Sequence, residues 1–151
     1  MNSKMKMIIN YLVIIFFVVL DRFFKMIAMD GFLNDRSIVA DFFKFNFAKN
    51  YYIAFSLPIS GLLLLILNGL IIVFLVYFYL NYFKEKKFFV SLVLFLIILG
   101  SLSNYFDRLK YGYVIDYFDL KYFTVFNVAD CLIILGGIVF LWHQGRVDTE
   151  A

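Results

Sequence analysis

Apolar residues run through this chain in four long blocks separated by polar segments, and the blocks set its architecture. Met7 to about Ala28, Pro58 to about Tyr82, Phe88 to about Phe106 and about Asn127 to His143 each reach, or nearly reach, the roughly 20 helical residues that cross a hydrocarbon layer. Only helices and closed barrels satisfy their backbone in lipid, and no block alternates as a barrel strand does. The expected fold class is all-α integral membrane. One membrane domain over 1–151 carries four transmembrane helices (about 7–28, 58–82, 88–106 and 127–143), with a small extracytoplasmic loop/β region in the connections 29–57 and 107–126. Gly61, Gly69, Gly100, Gly136 and Gly137 offer places where helices can approach closely.

Composition strengthens this picture. The chain of 151 residues is 64% hydrophobic and 17% charged, with 21 Phe, whereas soluble domains are about half apolar and a quarter charged. A core of this size cannot hide that much apolar surface, so lipid covers the excess. One cysteine, Cys131, permits no internal disulfide and is expected as a small buried residue, and one histidine, His143, argues against an all-protein zinc site. A net charge of +3, scattered along the chain, points to no nucleic-acid partner.

Charge placement gives an orientation. Lys4 and Lys6 precede the first block as in a signal peptide, but Leu20-Asp21-Arg22 closes it without a small-residue cleavage site, so the helix is retained. Four spans place both termini on one side, with Lys84, Lys86 and Lys87. Raw counts of Lys and Arg favour the other side, but density close to the helix ends puts both termini inside. Asp21, Asp30, Asp35, Asp41, Asp107, Asp116, Asp119 and Asp130 then all fall outside, an asymmetry that a simple anchor does not need.

Three polar clusters sit where the apolar blocks meet that outer interface. Asp21 and Lys25 are i,i+4 on one helix face, Asn104 stands three and four residues before Asp107 and Arg108, and Asn127 stands three before Asp130. Each has a bland explanation: a self-neutralising pair, a carboxylate paired with its neighbouring arginine, an N-cap with a first-turn acid. Connectivity nevertheless brings all three to one face. Tyr113-Val-Ile-Asp-Tyr-Phe118 adds Asp116 in an alternating stretch, expected as a short strand or interfacial ribbon lying flat on the membrane with Asp116 over the head of the fourth helix.

Elimination narrows the chemistry. His143 lies 13 residues beyond Asp130, roughly 20 Å along a helix, too far for a zinc site, a Ser-His-Asp triad or a Cys-His pair at these clusters. A Ser-Lys pair, Ser56 with Lys25, has no supporting motif. What remains is carboxylate chemistry: two close aspartates share one proton, the charged one activates water and the neutral one polarises a carbonyl or protonates a leaving amine.

At these residues the sequence resembles the lipoprotein signal peptidase (signal peptidase II) family. Asp21 and Lys25 fit D-x-x-x-K; Asn50-Tyr-Tyr-Ile-Ala-Phe-Ser56 resembles an N-x-G-x-A-F-S loop; Gly100 to Arg108 resembles G-x-x-x-N-x-x-D-R; Tyr113-Val-Ile-Asp116 resembles V-x-D; Phe126-Asn-Val-Ala-Asp130 resembles F-N-x-A-D. The resemblance implies an aspartyl endopeptidase, without cofactor or metal, that removes the signal peptide of a diacylglyceryl-modified prolipoprotein just before the lipidated cysteine. It implies Asp116 and Asp130 as the catalytic pair, Asn50, Asn104, Arg108 and Asn127 as substrate-binding or supporting residues, and Asp21, Lys25 and Asp107 as structural residues behind them. It further implies a monomer in the bacterial inner membrane among membrane lipids, multi-pass, with both termini cytoplasmic and the site at the extracytoplasmic face. Tyr52, Ser103, Cys131, Phe24 and a short Asp116-to-Asp130 spacing depart from the family pattern. A small four-helix transporter and a silent membrane scaffold are the alternatives; the clustered acids and the lack of an internal repeat weigh against transport.

Overall fold

The computed structural model describes residues 2–31, 35–40, 42–52 and 61–149. The elements, in order, are α1 (Ser3–Met29), β1 (Arg36–Val39), β2 (Phe43–Asn50), α2 (Gly61–Lys84), α3 (Phe88–Tyr111), β3 (Val114–Leu120) and α4 (Val128–Thr149). Among the described residues three helices, α2, α3 and α4, are long and apolar enough to cross a membrane. α1 is as long as the others but carries Asp21, Arg22 and Lys25 in its last third.

The helices outrun the apolar blocks. α3 was expected to end near Phe106 but continues to Tyr111, so Asp107 and Arg108 are helical rather than the start of a loop. Gly112 ends α3: its φ of 79° is a left-handed conformation open to glycine, and its N–H closes on the Arg108 carbonyl. Residues 58–60, expected to open the second helix, lie outside the described residues.

α3 is the central post. It packs against α1, α2 and α4, whereas α2 packs against α3 alone among the described residues. Glycines permit the closest approaches. A Cβ on Gly100 would stand 2.8 Å from the Ala129 carbonyl, and one on Gly136 would collide with Ile97, so α3 and α4 meet nearly backbone to backbone. Gly61 and Gly137 face open space instead.

The connections 29–57 and 107–126 contribute a three-stranded antiparallel sheet in the order β1-β2-β3. β3 is the short strand expected, and Val114, Ile115, Asp116 and Tyr117 are all buried, so both faces of its first half are covered by protein. Ala28 of α1, Phe45, Ile115 and Tyr117 form the core beneath it, and Phe24 packs there against Phe45, Tyr117 and Phe118.

Register in the sheet decides what stands beside Asp116. Phe45 pairs with Phe118 but Ala48 pairs with Asp116, so β2 carries one extra residue across a bulge. Without it Lys49 would occupy the position diagonal to Asp116. With it Asn50, paired with Val114, takes that place.

Candidate active site

The start of α4 is a reciprocal cap. Asn127 precedes the helix, its Oδ1 accepting the Asp130 N–H at 2.9 Å, while Asp130 Oδ2 accepts the Asn127 N–H at 3.2 Å. This is a capping box with aspartate in place of the usual glutamate. The N-cap and first-turn acid expected from the sequence are both present, but they do not exhaust these side chains. The Asn127 amide Nδ2 also donates to Asp116 Oδ1 at 2.5 Å, to Asn104 Oδ1 at 3.2 Å and to the Ile115 carbonyl at 3.3 Å.

The two carboxylates thereby meet through one residue. Asn50 Nδ2 donates to the other oxygen of Asp116 at 3.0 Å, and Asn104 Nδ2 donates to Asp130 Oδ1 at 2.7 Å. The amide of Asn104 points this way because its oxygen is held from behind by Lys25 Nζ at 2.8 Å. Burial first, and the neighbouring Asp130 charge second, push the Asp116 carboxyl up to about 7. Amides from Asn50 and Asn127 oppose that shift.

Behind this layer lies a charge cluster in which Asp21, Lys25 and Asp107 are fully buried. Lys25 Nζ stands 3.0 Å from Asp21 and 2.8 Å from Asp107, and Asp107 also accepts from Arg22. Asp107 therefore pairs with two cations of α1, not with its neighbour Arg108. Arg108 instead donates Nη2 to the Tyr52 carbonyl at 3.0 Å and faces Asp116 and Asp130 electrostatically. The Lys25 ammonium is occupied by this cluster; Ser56 lies outside the described residues, as does the Ile53–Ser56 part of its motif.

Three participants were not assigned from the sequence. Tyr117 donates its hydroxyl to Asp21 Oδ1 and accepts the Val128 N–H, both at 3.0 Å. Asp21 Oδ1 also accepts the Ala129 N–H at 3.1 Å, so the first three amides of α4 are met by Tyr117, Asp21 and Asn127. Burial and the nearby Asp21 charge raise the Tyr117 phenol far above its usual range, keeping it neutral. Ser103, noted only as a departure where glycine is common, donates to Asp21 Oδ2 at 2.6 Å. Arg22 was seen only as part of the block's end. Its neighbour Lys25, with two carboxylates to answer, was the available signal. Cys131 is half-buried rather than enclosed.

No group of three or more His, Cys, Asp or Glu able to hold a metal occurs among the described residues. The arrangement is a pair of carboxylates held by neutral amides and reached by one guanidinium, suited to moving protons.

The family model described as Signal peptidase (SPase) II matches residues 13–145. The chain belongs to the signal peptidase II family. Its members are aspartic peptidases. A lipoprotein signal peptidase of Halothermothrix orenii is 34% identical over 143 residues, covering 91% of this chain and 97% of its own. Another, from Clostridium novyi, is 32% identical, covering 89% and 98%. The fold also matches a solved structure of a bacterial membrane enzyme with TM-score 0.76 at 21% identity, covering 93% of this chain and 88% of that one. The resemblance seen in five short motifs thus extends over nearly the full length of the chain.

Proposed function

We propose that Asp116 and Asp130 are the catalytic pair of an endopeptidase that removes the signal peptide from diacylglyceryl-modified prolipoproteins just before the lipidated cysteine. Cleavage of prolipoprotein signal peptides follows from the family. The choice of residues rests on one observation: Asn127 bonds to both carboxylates at once, through Nδ2 to Asp116 and through its backbone N–H to Asp130.

The pair holds one proton. The ionised member takes a proton from water as the water oxygen attacks the scissile carbonyl carbon, and the protonated member gives its proton to the carbonyl oxygen. Collapse of the tetrahedral diol breaks the C–N bond, a proton passes to the departing amine, and the pair returns to its single-proton state. Asn50, Asn104 and Asn127 hold the carboxylates, and Arg108 orients the peptide backbone at the mouth. Asp21, Lys25 and Asp107 fix the elements from behind.

In this reading α1 is a fourth span, both termini are cytoplasmic, and the monomer works at the extracytoplasmic face of the inner membrane. A substrate carrying acyl chains diffuses in the membrane plane, so a site at the end of the bundle meets its lipid and its scissile bond together.

The test is Asp116→Asn and Asp130→Asn in purified protein, assayed on a lipidated precursor by conversion to the shorter product. Each variant is expected to insert and fold while losing at least about 10³-fold in rate. Retained cleavage in either variant would remove that aspartate from the pair.

A further inference from the structure

At the same end of the bundle, but on the far side of α3, two cations converge on one aromatic ring. The Arg22 guanidinium carbon lies 4.9 Å and the Lys110 ammonium 5.8 Å from the centroid of Phe106. Successive helical residues turn by about 100°, so Phe106 points roughly opposite to Asn104 and Arg108, which face the carboxylate pair. Phe106 is 48% exposed, and Leu102, Leu109, Phe23 and Met26 around the seam are exposed too.

Charge is not balanced at this seam. Arg22 and Lys25 face two carboxylates, Asp21 and Asp107, both fully buried, and Lys110 adds a third cation beside Phe106. Lys25 takes an oxygen of each, Arg22 shares Asp107, and Lys110 makes no ion pair among the described residues. One positive charge is left over on the open side, next to a second cation with its side chain 29% exposed. Counted at 1.5 Å per residue from Met29 and Tyr111, Arg22 and Phe106 lie about 10 Å and 8 Å inside the helix ends; in the proposed topology with α1 as a fourth span, on which this inference rests, that is the level where hydrocarbon gives way to headgroups.

We infer that the α1/α3 seam beside Phe106 binds the phosphodiester headgroup of an anionic phospholipid. Its charged oxygens bridge Arg22 and Lys110, the latter also 5.0 Å from the Tyr111 ring, and its acyl chains cover Leu102, Leu109, Phe23 and Met26. Basic pockets between membrane helices recognise anionic headgroups in this way. A soluble phosphate would leave that apolar surface uncovered. The diacylglyceryl group of the substrate carries no phosphate to meet the cations, so this lipid is a resident of the fold and not the substrate.

The test uses the full chain in nanodiscs of phosphatidylcholine alone or mixed with phosphatidylglycerol. Phosphatidylglycerol is expected to raise Tm by about 3 °C. Lys110→Gln and Phe106→Leu are expected to lose most of that rise, and Lys110→Gln to weaken retention of phosphatidylglycerol in native mass spectrometry about fivefold. Lys84→Gln, the same charge change at the far end of α2, keeps both. No rise in the parent protein, equal rises in all variants, an equal loss in Lys84→Gln, or the same protection from glycerol phosphate in phosphatidylcholine discs would each overturn the assignment.

Discussion

The Asn127 side-chain amide lies 2.5 Å from Asp116 Oδ1, although Asn127 belongs to the cap of α4 and Asp116 to the middle of β3. One side chain therefore performs two separable tasks. Its oxygen caps a helix and its nitrogen joins strand to helix.

Serine separates them. Ser at 127 still accepts the Asp130 N–H as an N-cap but cannot reach Asp116 with an amide. Asn127→Ser is expected to keep the cap but to cost about 1–3 kcal/mol in stability, because Asp116, Asn104 and the Ile115 carbonyl lose a buried donor. Its kcat should fall about 10²-fold, because a carboxylate displaced by even about 1 Å loses that much. Denaturation midpoints and kcat measured on one preparation decide the matter; an unchanged kcat in the folded variant would make Asn127 a cap and nothing more.

Asp116 ties activity and stability to pH. Its folded carboxyl titrates near 7, raised by burial and by the Asp130 charge, whereas an unfolded aspartate titrates near 4. The folded chain thus holds a proton that the unfolded chain releases. This contribution to stability is complete below about pH 4 and is lost as pH rises through about 7. Unfolding midpoints should fall across that window, and Asp116→Asn should flatten the slope. In the proposed mechanism the pair works with one proton, so kcat/KM should decline above about pH 7.

Lys25 holds two buried carboxylates at once. Lys25→Met would leave Asp21 and Asp107 short of a counter-charge, and breaking a buried pair in this way costs about 3–5 kcal/mol. The expected result is a chain that unfolds at markedly lower denaturant or temperature, in detergent as well as in lipid. Adding Asp107→Asn, which removes one of the stranded charges, should recover part of the loss.

Much of the site was legible because helices repeat. Asp21 with Lys25, Asn104 with Arg108, and Asn127 with Asp130 share faces by spacing alone, and connectivity brought Asp116 toward the head of the fourth apolar block. The sheet was less visible. Phe43, Phe45 and Phe47 alternate with Lys44, Asn46 and Ala48, a strand pattern inside a connection expected only in outline as a loop/β region. The bulge that exchanges Lys49 for Asn50 beside Asp116 has no local signature, since it follows from pairing with a strand about 70 residues away. Charge also misled at α3. Asp107 and Arg108 looked like a helix end, yet buried partners on α1 and a stop supplied only by Gly112 carry the helix past them. In α1, too, Asp21 and Lys25 sit inside protein, where composition cannot see them.

The three amides that open α4 are closed by Tyr117 from the sheet, Asp21 from the first helix and Asn127 from its own cap. Such a helix start cannot be completed by its own segment during synthesis. It waits for the earliest and the latest parts of the polypeptide to meet. In a partly inserted chain Asn127, Asp116 and Asp130 are consequently not yet joined, and the proposed carboxylate pair assembles only with the finished bundle.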